Sequence, residues 1–133
     1  MARDKLLKGL ELKGVRQSAP QNYGAKPSDL EVLLRAPSLY RTLLLINEYL
    51  QVKRRRGFTY RGLRAYWDMK GLYRDERDPA REWHTVERAI RKLAELGFLE
   101  RRHPRSNKKT VIFYPTKRFW RVIEEREGLI DDG

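Results

Sequence analysis

The sequence predicts a mainly helical α+β fold carrying one small β-hairpin, and three features point to it. Residues Val86 to Tyr114 run helix, Leu-Gly stop, short strand, basic polar tip and second strand, in that order. Ser38 to Gln51 (SLYRTLLLINEYLQ) is so dense in Leu and Ile that a helix there buries more than one face. A chain of 133 residues, 40% of them hydrophobic, fills one small core with appendages to spare.

Met1 to Lys13 sets Leu6, Leu7 and Leu10 among lysines, a short amphipathic helix. It is too short for a membrane anchor and is expected to pack on a neighbouring subunit. Gly14 to Pro27 is turn-rich and reads as a tether, or as an arm that orders on a partner. Residues 1–27 thus form a first segment of helix and tether. Ser28-Asp29-Leu30-Glu31 is a capping box opening a short helix to Arg35. Pro37 separates it from the Ser38–Gln51 helix. Lys53-Arg54-Arg55-Arg56 follows, the densest charge run in the chain. Such a run fits a solvated corner, a phosphate contact or a nuclear localisation signal. Thr59 caps the next helix, with Phe58 placed to pack on Leu63 as a hydrophobic staple. Tyr60 to Lys70 supplies Leu63, Tyr66, Trp67 and Met69 to the core, and Gly71 stops it.

Asp78 is a preferred N-cap and Pro79 a preferred first helical residue for the helix that ends at Leu96. Trp83, Val86, Ile90, Leu93 and Leu96 recur at helical period along one face. Gly97 sits where a left-handed cap is needed. The opposite face carries Arg81, His84, Arg88, Arg91 and Glu95, flanked by Thr85 and Lys92. Phe98–Arg102 and Thr110–Tyr114 read as strands. Between and beside them Arg101, Arg102, Arg105, Lys108 and Lys109 crowd within nine positions. Their mutual repulsion is a cost unless an anion lies opposite, and a phosphate backbone is the commonest such anion.

The final helix, Lys117 to Glu127, has cations at its N-terminus and acids at its C-terminus, the wrong way round for the macrodipole. That layout suggests phosphate near Lys117 and Arg118, or a basic partner near the acids. Phe119, Val122 and Ile123 form its apolar stripe, and Leu129 and Ile130 extend the apolar surface. Together with the N-terminal leucines, this surplus predicts a homodimer, with residues 117–133 as a helix and acidic tail that contributes to the interface.

Net charge is +12 and pI about 10.2. Pro79 to Arg121 holds 12 Lys and Arg against 4 Glu, a net of +8, and Val122 to Gly133 holds 1 Arg against 5 acids, a net of −4. The field is therefore positive around the basic helix and reversed at the C-terminus, the footprint of a duplex binder. With no cysteine the chain has no disulfide or thiolate metal site, which favours a cytoplasmic setting, and no apolar run reaches membrane-helix length. His84 and His103 are the only histidines, far from metal-ligand spacing. The acids Asp75, Glu76, Asp78 and Glu82 sit among Arg74, Arg77 and Arg81, a salt-bridged loop rather than a Mg²⁺ site. With no phosphate loop and no nucleophile motif, neither an enzyme nor a cofactor is expected, nor is a small-molecule ligand.

The stretch from Phe58 through Thr116, with HTVERAIRKLAELG, the strand GFLERR, the basic tip and a closing strand into Tyr114-Pro115-Thr116, resembles the winged helix-turn-helix transcriptional regulators of bacteria and archaea. Among these it resembles notably the arsenic-repressor-like and multiple-antibiotic-resistance-like families. The resemblance implies that residues 28–116 form a winged-helix DNA-binding domain. It also implies that His84, Thr85, Glu87, Arg88 and Arg91 face the major groove, with the tip over a minor groove or backbone. The DNA-contacting set is then Arg81, His84, Thr85, Glu87, Arg88, Arg91, Lys92, Arg102, Arg105, Lys108 and Lys109, and the partner is double-stranded DNA. Metal sensing does not carry over, since no sensing cysteines or histidine clusters are present. Arg outnumbers Lys 20 to 10, and Asn and Gln are few, a balance expected of a thermophile such as an archaeon or its virus. Two other classes fit the same charge: an architectural or ribosome-associated nucleoprotein, and a module whose basic helix meets an acidic protein.

Overall fold

The structure, a computed structural model, describes residues 27–72, 74, 77–107 and 109–132, with side chains through residue 128. The expected Met1–Lys13 helix and all of the tether but Pro27 lie outside the described residues. The described chain is mainly helical with one two-stranded antiparallel sheet. Its elements are α1 (Asp29–Leu34), α2 (Pro37–Lys53), α3 (Tyr60–Lys70), α4 (Pro79–Glu95), β1 (Leu99–Arg102), β2 (Ile112–Pro115) and α5 (Lys117–Asp132).

Three of the helices, α1, α3 and α4, begin where a short polar side chain satisfies one of the first N–H groups. Ser28 accepts from the Glu31 N–H while Glu31 accepts from the Ser28 N–H, closing the capping box of α1. Thr59 accepts from the Gly62 N–H at 3.0 Å, and Asp78 from the Arg81 N–H at 3.1 Å. Three helices end in one Schellman pattern, a left-handed residue that turns two N–H groups back onto the last carbonyls. Gly71 (φ 63°) ends α3 with bonds to Asp68 and Trp67, and Gly97 (φ 91°) ends α4 with bonds from Gly97 and Phe98 to Ala94 and Leu93. In α2 that position is Arg54 (φ 52°), with Arg54 and Arg55 bonding back to Gln51 and Leu50. A side chain there costs about 1–2 kcal/mol that glycine does not.

One core joins all the elements. Leu43, Ile46, Tyr49 and Leu50 of α2 meet Leu63, Tyr66 and Trp67 of α3, Ile90 and Leu93 of α4, and Phe119, Val122 and Ile123 of α5. Trp67 and Trp83 lie 5.4 Å apart across α3 and α4. Leu99 stands opposite Pro115 and Arg102 opposite Ile112 in the hairpin. Phe58, between α2 and α3, exchanges two backbone hydrogen bonds of 2.9 Å with Phe113 and stacks on its ring at 5.4 Å. β2 is thus flanked by β1 on one side and by a single-residue bridge on the other.

Several expectations are corrected by this packing. Phe98 does not start the first strand, because its N–H is engaged in the α4 cap. The second strand starts at Ile112 instead of Thr110, whose N–H bonds the Asn107 carbonyl and whose carbonyl meets His103 Nδ1. Met69 is 66% exposed, for at 100° per residue it lies about 110° around α3 from the Leu63–Trp67 stripe. The last helix passes Gly128 and runs to Asp132. Phe119, Val122 and Ile123 are buried within this chain's own core, so they supply no surface to a homodimer.

Arg118 also departs from its expected role. Its guanidinium makes a bidentate pair with Asp29 (3.1 and 2.9 Å), donates to the Leu96 carbonyl at the end of α4, and covers the Phe98 ring at 4.6 Å. The charge that is unfavourable for α5 itself is thus compensated by α1 and by the carbonyl end of α4. The hydrogen bond from Arg118 holds the Asp29 carboxyl below its usual range, although partial burial works against this. No external phosphate is needed to account for it.

Candidate nucleic-acid interface

Helix α4 is held from behind. Trp83, Ala89, Ile90 and Leu93 are buried, Val86 and Leu96 pack against the same core, and Trp67 abuts Trp83. Seven polar side chains are consequently turned outward and exposed: Arg81, His84, Thr85, Arg88, Arg91, Lys92 and Glu95. Among the described residues no carboxylate pairs with Arg88 or Arg91. Lys92 reaches Glu95 at 3.6 Å, an exposed pair of little energetic weight. Glu87 is half-buried, and its carboxylate meets His84 Nδ1 at 3.1 Å, so it orients the imidazole instead of facing outward.

The hairpin places a second group of cations after α4. Arg105 and Lys109 are exposed in the tip, which is shaped by Asn107 bonds to the Pro104 carbonyl and from the Lys109 N–H. Lys108 lies outside the described residues. Arg101 lies 6.0 Å from the Phe113 ring. Arg102 pairs with Glu100 at 3.1 Å and covers Tyr114 at 5.2 Å, and the bond to Glu100 raises its already high pKa. It therefore lies against the outer face of the sheet, at the end of β1 that leads into the tip.

Two concavities adjoin these cations, and neither was legible in the sequence because each draws on several segments. A groove of about 730 Å³ runs beside α4, and its lining includes Leu44, Leu45 and Val86 as well as Arg41, Arg81 and Thr85. A cleft of about 620 Å³ lies between the end of α2 and the outer face of the sheet, where Arg54, Arg55 and Arg56 approach Arg102 and Tyr114.

No family model, curated protein or solved structure matches the chain. The described residues hold no group of three His, Asp or Glu side chains placed to bind a metal ion. Of the acids around the start of α4, Asp78 is used as its cap and Glu82, in its first turn, accepts from the Arg74 N–H at 2.7 Å, while Asp75 and Glu76 lie outside the described residues. Among the described residues no helix is long and apolar enough to cross a membrane. The outer face of α4 and the hairpin tip thus present exposed guanidinium and ammonium groups, whose chemistry suits electrostatic and bidentate hydrogen bonding to anionic groups.

Proposed function

We propose that the chain is a winged helix-turn-helix protein that binds duplex DNA sequence-specifically and regulates transcription, with α4 as recognition helix and the β1–β2 hairpin as wing. The observation that carries this reading is the outer face of α4, where Arg88 and Arg91 have no described carboxylate partner while the rear of the helix is fixed in the core. The order of elements supports it. A helix, a single bridging residue, two helices and a hairpin whose second strand pairs back on that residue follow one another in the order that a winged reading calls for.

B-DNA's major groove is about 12 Å wide and admits one helix. Arginine's planar fork matches guanine O6 and N7, which makes Arg88 the strongest candidate for a base contact, with Arg91 and the Glu87-oriented His84 beside it. Arg105 and Lys109 would lie over the flanking backbone.

The deciding experiment selects preferred sites from random duplex and then measures Arg88→Ala on the preferred and a scrambled site at one salt concentration. Arg88→Ala is expected to cost about 1–3 kcal/mol on the preferred site and much less on the scrambled one. Its circular dichroism should be unchanged, since Ile90 and Leu93 are untouched. Equal weakening on both duplexes would overturn sequence-specific reading and leave an architectural nucleoprotein.

A further inference from the structure

The turn that ends α2 combines features that a solvated corner does not require. α3 and α4 place glycine at the left-handed position of their caps, whereas α2 places Arg54 there, the one non-glycine residue with positive φ among those described. Arg55 and Arg56 follow it, and all three side chains are exposed. No carboxylate pairs with any of them among the described residues. The negative end of the α2 dipole favours a cation nearby, but it does not account for four guanidiniums around one cleft or for a side chain in a glycine conformation.

The turn is also held rigidly. A Cβ on Gly57 would fall 2.8 Å from the Phe113 carbonyl oxygen and 2.9 Å from the Tyr114 ring, so the backbone lies directly on the sheet. Phe58 then fixes it by two hydrogen bonds to Phe113. Arg102 closes the far side of the cleft from its position over Tyr114. Arg102 and Gly57 both cover Tyr114, which leaves little ring face on which a base could stack, so the site suits an anion rather than a nucleobase. Arg102 is also the last residue of β1 before the basic tip, which makes the cleft continuous along the chain with Arg105 and Lys109.

From this we infer that Arg54, Arg55 and Arg56, with Arg102, form a second phosphate-binding site, built without any residue of α4, that holds the phosphodiester backbone of duplex DNA. The inference rests on the duplex-binding reading above and extends it. α4 would supply base contacts, and the cleft would anchor backbone on the far side of the hairpin. The strained Arg54 is then explained by the charge it delivers.

The test uses the full chain and the triple variant Arg54→Gly/Arg55→Ala/Arg56→Ala, with Arg88→Ala/Arg91→Ala in parallel, measuring duplex affinity across a salt series. Each lost phosphate contact should reduce the slope of log K against log [salt] by about 0.9, so the triple variant should lose roughly 2.7 on preferred and scrambled duplex alike. Arg54→Gly alone should weaken binding several-fold yet raise the thermal midpoint, because glycine suits the cap. Wild-type slope and affinity in the triple variant, with the α4 variant weakened, would overturn this inference and leave the duplex reading standing. Failure of the wild-type chain to bind any duplex would remove both. Titration with inorganic phosphate, followed through the amide resonances of Gly57 and Tyr114, separates the remaining source. Loss of phosphate binding in the triple variant with an unchanged duplex slope would assign the cleft to a free anion and overturn the inference as well.

Discussion

Replacing Arg118 by alanine removes the contact that ties α1, the end of α4 and α5 together. Its bidentate pair with Asp29 joins side chains that are 45% and 30% exposed, so solvent screening holds it near the top of the surface range, about 1 kcal/mol. The guanidinium over Phe98 adds about 0.5–1 kcal/mol, and the bond to the Leu96 carbonyl about 1. The three share one side chain and do not simply add. A loss of about 2 kcal/mol is expected, which for a domain of this size lowers the melting midpoint by roughly 6–12 °C. Arg118→Lys keeps the charge without the fork and should recover less than half of the loss. The pH dependence has a definite sign. The Asp29 carboxyl is held low in the folded state, so the pair's contribution is present above the ordinary aspartate range and disappears as pH falls through the lower folded value. The gap between wild type and Arg118→Ala, measured by denaturant titration, should therefore narrow below about pH 4. A loss under about 0.5 kcal/mol at neutral pH would refute the argument, and so would a gap that widens on acidification.

Tyr66 donates a hydrogen bond to Glu48, and that bond, with burial, pushes the Tyr66 hydroxyl up to about 12. Its stabilisation is complete below the ordinary tyrosine pKa near 10 and is lost as pH rises towards about 12. Tyr66→Phe should cost about 1–2 kcal/mol at pH 7 and show a shrinking deficit in alkaline melts, and a constant deficit up to pH 12 would disprove the assignment. Gly57→Ala should destabilise by about 1–3 kcal/mol, since its methyl meets a backbone carbonyl and a ring held by Arg102. A neutral result in thermal melts would mean that the turn lies off the sheet.

The local features were legible in the sequence. Ser28, Thr59, Asp78, Gly71 and Gly97 act through bonds within a few residues, so their types and spacing suffice to place three helix starts and two helix stops. The outward set on α4 was legible for the same reason, because helical period alone separates Arg88 from Ile90. What escaped was long-range or lacked a period. Phe58 pairs with Phe113 as a single residue, too short to alternate. Arg118 meets Asp29 across 89 positions, and the macrodipole rule, applied to α5 alone, assigned that charge to an outside anion. Phe119, Val122 and Ile123 looked like surplus apolar surface because nothing in their own helix says how much core the other elements leave to fill. The arginine cleft combines a known charge run with the outer face of a sheet whose register was unknown.

The pairing of Phe58 with Phe113 makes the hairpin tip an interchangeable part. β2 is held on both edges, by β1 and by Phe58, and its inward ring is wedged between Phe58 and Tyr60. A two-stranded ribbon whose loop is lengthened or shortened can slip by a residue, which exchanges its inner and outer faces. Here a slip would also have to break two bonds and a stacked ring on the other side of β2. Residues 103–109 are thereby freed from setting register and can vary in length and charge without disturbing the base of the sheet. The fold can thus accommodate tips of different reach, by drift or by design, while the helix behind them keeps its place.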